Sequence, residues 1–205
     1  MTVQISCIVE GYGEVEVVPI LVRRIAESLY PELEIKTPRP IRVSRDKVVK
    51  EGELERGVEF AARRIRGKGA IFILLDSDDD CPAHLASILR RRALKTHGDL
   101  PIAVVLAKHE YESWFLAAAQ SLRGLRGLKD NIQSPENPET VRDAKGWLSR
   151  QMEDHSYRET LDQPKLTARF DLDEARRADS FDMCYRDIVF LLDELRTSIK
   201  MTHDA

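Results

Sequence analysis

The sequence predicts an α/β fold, a mainly parallel sheet flanked by helices, with a helical C-terminal extension. Three observations predict it. Two apolar runs, residues 3–9 and 70–75, lack the polar alternation of a half-exposed strand and read as parallel strands covered on both faces. Strand and helix patterns alternate through the first half of the chain, which is βαβ organisation. Acidic clusters follow both runs, Glu10-Gly11-Tyr12-Gly13-Glu14 and Asp76-Ser77-Asp78-Asp79-Asp80, and a Rossmann-like sheet binds its ligands beyond the carboxyl ends of its strands.

The first strand, residues 3–9, leads through a glycine turn to a helix over 15–30, where Val18, Leu21, Val22, Ile25 and Leu29 recur at helical spacing. Pro31 stops that helix. Pro38 and Pro40 frame a short extended stretch at 41–43, and a charged helix over 51–66 ends at Gly67-Lys68-Gly69. The second strand, 70–75, delivers the aspartates. Pro82 opens a helix that runs to 97, because a proline at the first helical position lacks only an N–H that has no helical partner there. A strand over 101–107 and a helix over 112–122 follow. From residue 131 the pattern is helical only, with a linker at 135–138 and a long apolar-periodic helix over 181–199. The expected organisation is an α/β core over 1–130 with a helical extension over 131–205 packed on it.

Composition removes several classes. The 205 residues, 42% of them hydrophobic, suffice for one core, so disorder is not expected. A net charge of -3 argues against a globally basic nucleic-acid binder, although 32 Lys and Arg can still gather on one face. Three cysteines without a Cys-x-x-Cys pair argue against a zinc ribbon and suit a reducing cytoplasm. No apolar run approaches the roughly 18 residues of a membrane helix and no leader pattern opens the chain, so a cytoplasmic protein with no membrane partner is expected.

The glycine turn is neither a dinucleotide fingerprint nor a P-loop, since Gly11-Tyr12-Gly13 continues into Glu14-Val15-Glu16. Glu10 and Glu14 would repel a bare phosphate, whereas a cation between them would make phosphate binding favourable. Glu14 and Glu16 also suit a plainer role, complementing the helix dipole in its first turn. Asp76 and Asp78, two residues apart, reach one point if the strand persists that far; Asp79 and Asp80 fit equally well as caps for the next helix. A third charged string, Lys108-His109-Glu110-Tyr111-Glu112, follows the strand over 101–107 and comes to the same sheet edge. Lys108 and Glu112 there are also spaced as an ordinary i,i+4 surface pair, and His109 suits a surface histidine. Trp114, Phe115 and Leu116 read as core. Arg90, Arg91, Arg92 and Lys95 form either a solvated helix face or a patch that attracts phosphate.

The pattern Glu10-Gly11-x-x-Glu14 after one strand and Asp76-x-Asp78 after a later one resembles the Toprim domain shared by topoisomerases, primases and nucleases of the overcoming-lysogenization-defect type. The string from His109 to Ala117, Asp162-Gln163-Pro164-Lys165 and Ser180-Phe181 are similar to an uncharacterised bacterial family of Toprim-like proteins often considered with those nucleases. The resemblance implies a Toprim-like fold and a DNA endonuclease dependent on Mg²⁺ or Mn²⁺, in a setting of phage defence. It makes Glu10 the central acid, a metal ligand or general acid/base. Asp76 and Asp78 become ligands, Glu14 and Glu112 further metal-site carboxylates, and Lys108 or Lys165 the lysine that balances charge on the phosphorane. The chain lacks the tyrosine-bearing domain of a topoisomerase, the zinc module of a primase and a Walker lysine, so a separately encoded ATPase is the partner the resemblance suggests besides DNA. Two other classes fit the carboxylates: a Mg²⁺ enzyme acting on a small phosphorylated substrate, and a noncatalytic module whose acidic surface meets a basic partner.

Overall fold

Alternate residues of each central strand enter two different cores, which is why these strands are apolar throughout. Ala70, Phe72 and Leu74 pack to one side, and Ile71, Ile73 and Leu75 to the other. The computed structural model describes residues 2–203, and among these the sheet has five strands, all paired in parallel.

The chain enters at β1 (Thr2–Val9) and returns through α1 (Tyr12–Leu29) to β2 (Glu34–Lys36) and β3 (Ile41–Arg42). Both short strands lie against β1, β2 beside Thr2 to Gln4 and β3 beside Ile8 and Val9, so together they make one interrupted edge. The interruption holds Pro38 and Pro40, which have no N–H to give to a ladder. Next come α2 (Arg45–Val48), α3 (Glu53–Arg64), β4 (Gly69–Asp76), α4 (Pro82–Thr96), β5 (Ile102–Ala107) and α5 (Ser113–Ala117). The sheet order is β2-β1-β4-β5. The chain ends in α6 (Ala144–Gln151), α7 (Glu159–Thr167), α8 (Leu172–Ala175) and α9 (Asp179–His203). The result is an α/β fold of Rossmann-like form with a long C-terminal helix, as the apolar runs predict.

One face of the sheet is covered by α3 and α4 through Leu54, Val58, Leu89 and Ala93. The other is covered by α1 together with the elements after residue 130. Phe170 and Phe181 from that part meet Phe115 and Trp114 edge to face at 5.7 and 5.2 Å, so the helical extension is sealed into the sheet's own core. Ser180 Oγ accepts from both Trp114 Nε1 (2.8 Å) and the Lys108 backbone N–H (3.1 Å), which pins the start of α9 to the end of β5.

Two local expectations are corrected, and one strand is added. The helix expected over 112–122 is divided into α5 and a 3₁₀ turn (Ala119–Leu122). Ser134 causes this: its hydroxyl donates to the Ala117 carbonyl and accepts from the Ala119 N–H, which occupies groups a continuous helix would use. Helix α1 starts three residues earlier than the apolar spacing indicates, with Gly11 as its cap. β2, three residues long and mostly exposed, has no apolar pattern to announce it. No helix among the described residues is long and apolar enough to cross a membrane.

Candidate functional site

The carboxyl edge of β1 is built by two glycines. A Cβ on Gly11 would lie 2.3 Å from Glu14 Oε2, so only glycine lets the Glu14 carboxylate fold back over the turn. A Cβ on Gly13 would lie 2.1 Å from Gln163 Oε1 and 2.7 Å from Glu159 Oε1, so the start of α1 and α7 approach through a missing side chain. The Gly13 N–H donates to Glu159 Oε1 at 3.3 Å, which satisfies one of the helix's first amides. Glu14 is thereby buried, at 7% exposure, under the first turn.

β4 brings Asp76 to the same edge. Its Oδ1 accepts from the Tyr111 backbone N–H at 3.0 Å. The pairing with the β5 side continues one residue further, Ser77 N–H donating to the Ala107 carbonyl, and then Asp78 turns into the left-handed region with φ 46°. His109 opposite it is also left-handed, with φ 62°, and its Nδ1 lies 2.6 Å from the Asp78 carbonyl oxygen. This turn overrides the strand spacing that would align Asp78 with Asp76. Asp78 is exposed instead, and with Asp80 it binds the guanidinium of Arg45, at the start of α2.

Beyond β5, Glu112 is fully buried, because it lies before the first turn of α5 and faces inward rather than along a helix surface. Its Oε1 accepts from Tyr157 Oη (3.0 Å) and Gln163 Nε2 (3.1 Å), and its Oε2 lies 3.8 Å from Lys145 Nζ. Lys145 also pairs with Glu159 at 3.1 Å. The i,i+4 pair of Lys108 with Glu112 is therefore corrected: the lysine beside Glu112 is Lys145, from α6.

The electrostatics unite these groups. Burial, followed by the charges of Glu14, Glu112 and Glu10, holds the Asp76 carboxyl well above its ordinary range. Burial also raises Glu10, an effect opposed by the Asp76 backbone N–H and by Arg45 and reinforced by Asp78. Glu14 is raised by burial and by Glu159, and Lys145 partly counters this. Glu112 is pushed up to about 7 by burial against the pull of Lys145. Burial lowers Lys145, but Glu112 and Glu159 outweigh it, so the ammonium is held more firmly than usual. Glu10, Glu14, Asp76 and Glu112 thus share one under-compensated negative field, while Asp78 touches it only through Glu10. Three carboxylate oxygens in it, Glu10 Oε2, Glu14 Oε2 and Glu112 Oε2, are buried without a hydrogen-bond partner. Among the described residues no three His, Cys, Asp or Glu side chains are already gathered as a metal-ligand set. A positive charge inside the cleft is the Lys145 ammonium, and Arg45 acts on Glu10 from its rim.

The other expected residues stand apart. Lys108 lines a neighbouring groove of about 470 Å³ with His109, Arg142 and Arg177, and Lys165 is exposed on α7. Arg92 is held by Glu55 and by the carbonyls of Val48, Val49 and Lys50, so Arg90, Arg91 and Arg92 do not act as one phosphate patch. Sequence reasoning missed Lys145, Tyr157, Glu159 and Gln163 as cleft residues; they come from α6, α7 and the loop between them, with no strand end to mark them.

A family model described as Domain of unknown function (DUF4276) matches residues 9–186, a span that contains every residue of the cleft. No curated protein and no solved structure matches the chain.

Proposed function

The chain belongs to that family, and from its acidic cleft we propose that the protein is a divalent-metal-dependent nuclease that hydrolyses DNA phosphodiesters. The observation that carries the reading is the pair of buried carboxylate oxygens without a hydrogen-bond partner, Glu10 Oε2 and Glu14 Oε2, whose charges act on a raised Asp76. Buried polar atoms are normally paired, and a divalent cation among these carboxylates would both pair their oxygens and cancel their repulsion. Glu10, Glu14 and Asp76 would hold Mg²⁺ or Mn²⁺, and Asp78 would join them only by exchanging Arg45 for the metal. Such ions supply an acidified water and a clamp on the phosphoryl oxygens. Glu112, with a carboxyl that titrates near neutral pH, holds or releases a proton at Oε2 under the control of Lys145. Lys145 takes the charge-balancing part expected of Lys108 or Lys165, because it is the lysine within reach of the cleft carboxylates. A separately encoded ATPase that loads the DNA belongs to the same proposal.

The test compares wild type with Glu10→Ala and Asp76→Asn, each with Mn²⁺, on supercoiled plasmid and on single-stranded DNA, beside calorimetric titration of Mn²⁺ alone. Nicking or cleavage that both substitutions abolish, together with Mn²⁺ binding that they weaken, is the expected result. Absence of both Mn²⁺ binding and cleavage overturns the proposal. Activity confined to small phosphate esters would transfer the site to the other enzyme class.

A further inference from the structure

Tyr12 is the most exposed large hydrophobic side chain among the described residues, at 69%, and it stands between the two glutamates of the first turn. A single exposed aromatic is ordinary by itself; what sets this one apart is its place at the mouth of the acidic cleft and the cation that backs it. The Arg42 guanidinium already lies over the ring, 4.1 Å from its centroid. Arg42 is itself held, since its Nη1 donates to the Glu10 carbonyl oxygen at 3.3 Å. The ring is thus stiffened from one side by a cation anchored to the backbone of the central acidic residue, and its remaining surface is open.

The segment that carries Arg42 is basic. Residues 39–50 contain Arg39, Arg42, Arg45, Lys47 and Lys50 against one acid, Asp46, in a protein whose net charge is -3; with Arg45 taken up by Asp78 and Asp80, the excess rests on Arg39, Arg42, Lys47 and Lys50. β3 pairs with Ile8 and Val9, so this segment runs beside the carboxyl end of β1, where the cleft begins. Arg42, Lys47 and Lys50 are exposed on it.

We propose that Tyr12, backed by Arg42, is a stacking platform for one base of a single-stranded DNA whose phosphates follow the basic segment into the cleft. The inference rests on the nuclease reading and names its substrate class. An aromatic face beside a cationic track is the arrangement that binds single strands without sequence preference, since every base has a π-face. A duplex keeps its bases stacked on one another and offers the ring none without being opened. Arg42 adds to the attraction by its own stacking and by drawing phosphate.

The experiment measures fluorescence anisotropy of a fluorescein-labelled oligothymidylate and of an abasic oligonucleotide of equal length, in EDTA, with the full chain. Tyr12→Ala weakens oligothymidylate binding roughly tenfold, as expected for the loss of one stacked base, and Tyr12→Trp restores it. The abasic strand binds wild type and Tyr12→Ala alike. Equal affinity of Tyr12→Ala and wild type for oligothymidylate overturns the proposal, as does a loss that is the same for the abasic strand. Mn²⁺-dependent cleavage by wild type, run in parallel, separates the two readings. Cleavage with no Tyr12 dependence of binding removes the platform alone, and Tyr12-dependent binding without cleavage keeps the platform and removes the nuclease.

Discussion

Gly13 is a residue whose absent side chain positions others. Any Cβ there must displace Gln163, whose amide nitrogen donates to Glu112. Gly13→Ala is therefore expected to cost about 1–3 kcal/mol through the lost buried hydrogen bond, read as a lower melting temperature. An unchanged melting curve would mean that α7 yields without breaking that bond. Glu112 itself makes a pH prediction. Its carboxyl rises on folding from 4.5 to about 7, so between those values the native state binds more protons than the unfolded chain. Stability then falls as pH rises through the window, by on the order of 3 kcal/mol from this group. Asp76, Glu10 and Glu14 are raised too and add to the slope with the same sign. Glu112→Gln should flatten the slope without abolishing it, measured by urea unfolding at pH 5 and pH 8; an identical slope in the variant would refute the assignment.

The short helix α2 shows how an element of one turn controls a loop. Its Arg45 binds Asp78 and Asp80 together, and its charge also reaches Glu10. The aspartates of these pairs are exposed while Arg45 is largely buried, and solvent screening at the carboxylates limits the pairs to about 0–1 kcal/mol of stability, so Arg45→Ala should lower the melting temperature only slightly. It should instead tighten Mn²⁺ binding at least about fivefold, since one nearby unit charge is worth roughly 1 kcal/mol even at the dielectric of water and more beside buried carboxylates. Weaker Mn²⁺ binding in that variant would mean that Arg45 shapes the site rather than competes for it. The same scale explains what the sequence made legible. β1, β4 and β5 declare themselves because both of their faces are covered, and their ends bring Glu10, Asp76 and Glu112 to one edge of the sheet, where their charges act on one another. The break after α5 is hidden because its cause, Ser134, lies 17 residues further along and acts through a hydroxyl. Asp78 is misread from spacing alone because its left-handed turn depends on His109, 31 residues away. Lys145 looks like any lysine on a polar helix until the fold sets that helix over Glu112.

At the scale of the whole molecule, the division at residue 130 marks a change of pattern along the chain, while the packing crosses it. Tyr111, Trp114 and Phe115 from before that point share one apolar cluster with Leu148, Phe170, Phe181 and Leu192 from after it. A chain cut there would leave Trp114 and Phe115, both fully buried, facing water, a loss of roughly 1.5–3 kcal/mol for an aromatic or aliphatic side chain of this size, repeated at each such position. Summed over the positions of the shared cluster, the loss is comparable to the about 5–15 kcal/mol that a domain holds in reserve. The two tryptophans allow the point to be measured, since Trp114 lies at the sheet and half-buried Trp147 lies on α6. In urea, the fluorescence of Trp114 in a Trp147→Phe variant and of Trp147 in a Trp114→Phe variant should each coincide with the loss of helical circular dichroism in the same protein, as a single cooperative unit requires. If Trp147 changed at a clearly lower urea concentration than the bulk helical signal, the helices after residue 130 would be a separately unfolding layer. The cleft, which takes Lys145, Tyr157 and Gln163 from that layer, would then be lost before the sheet unfolds.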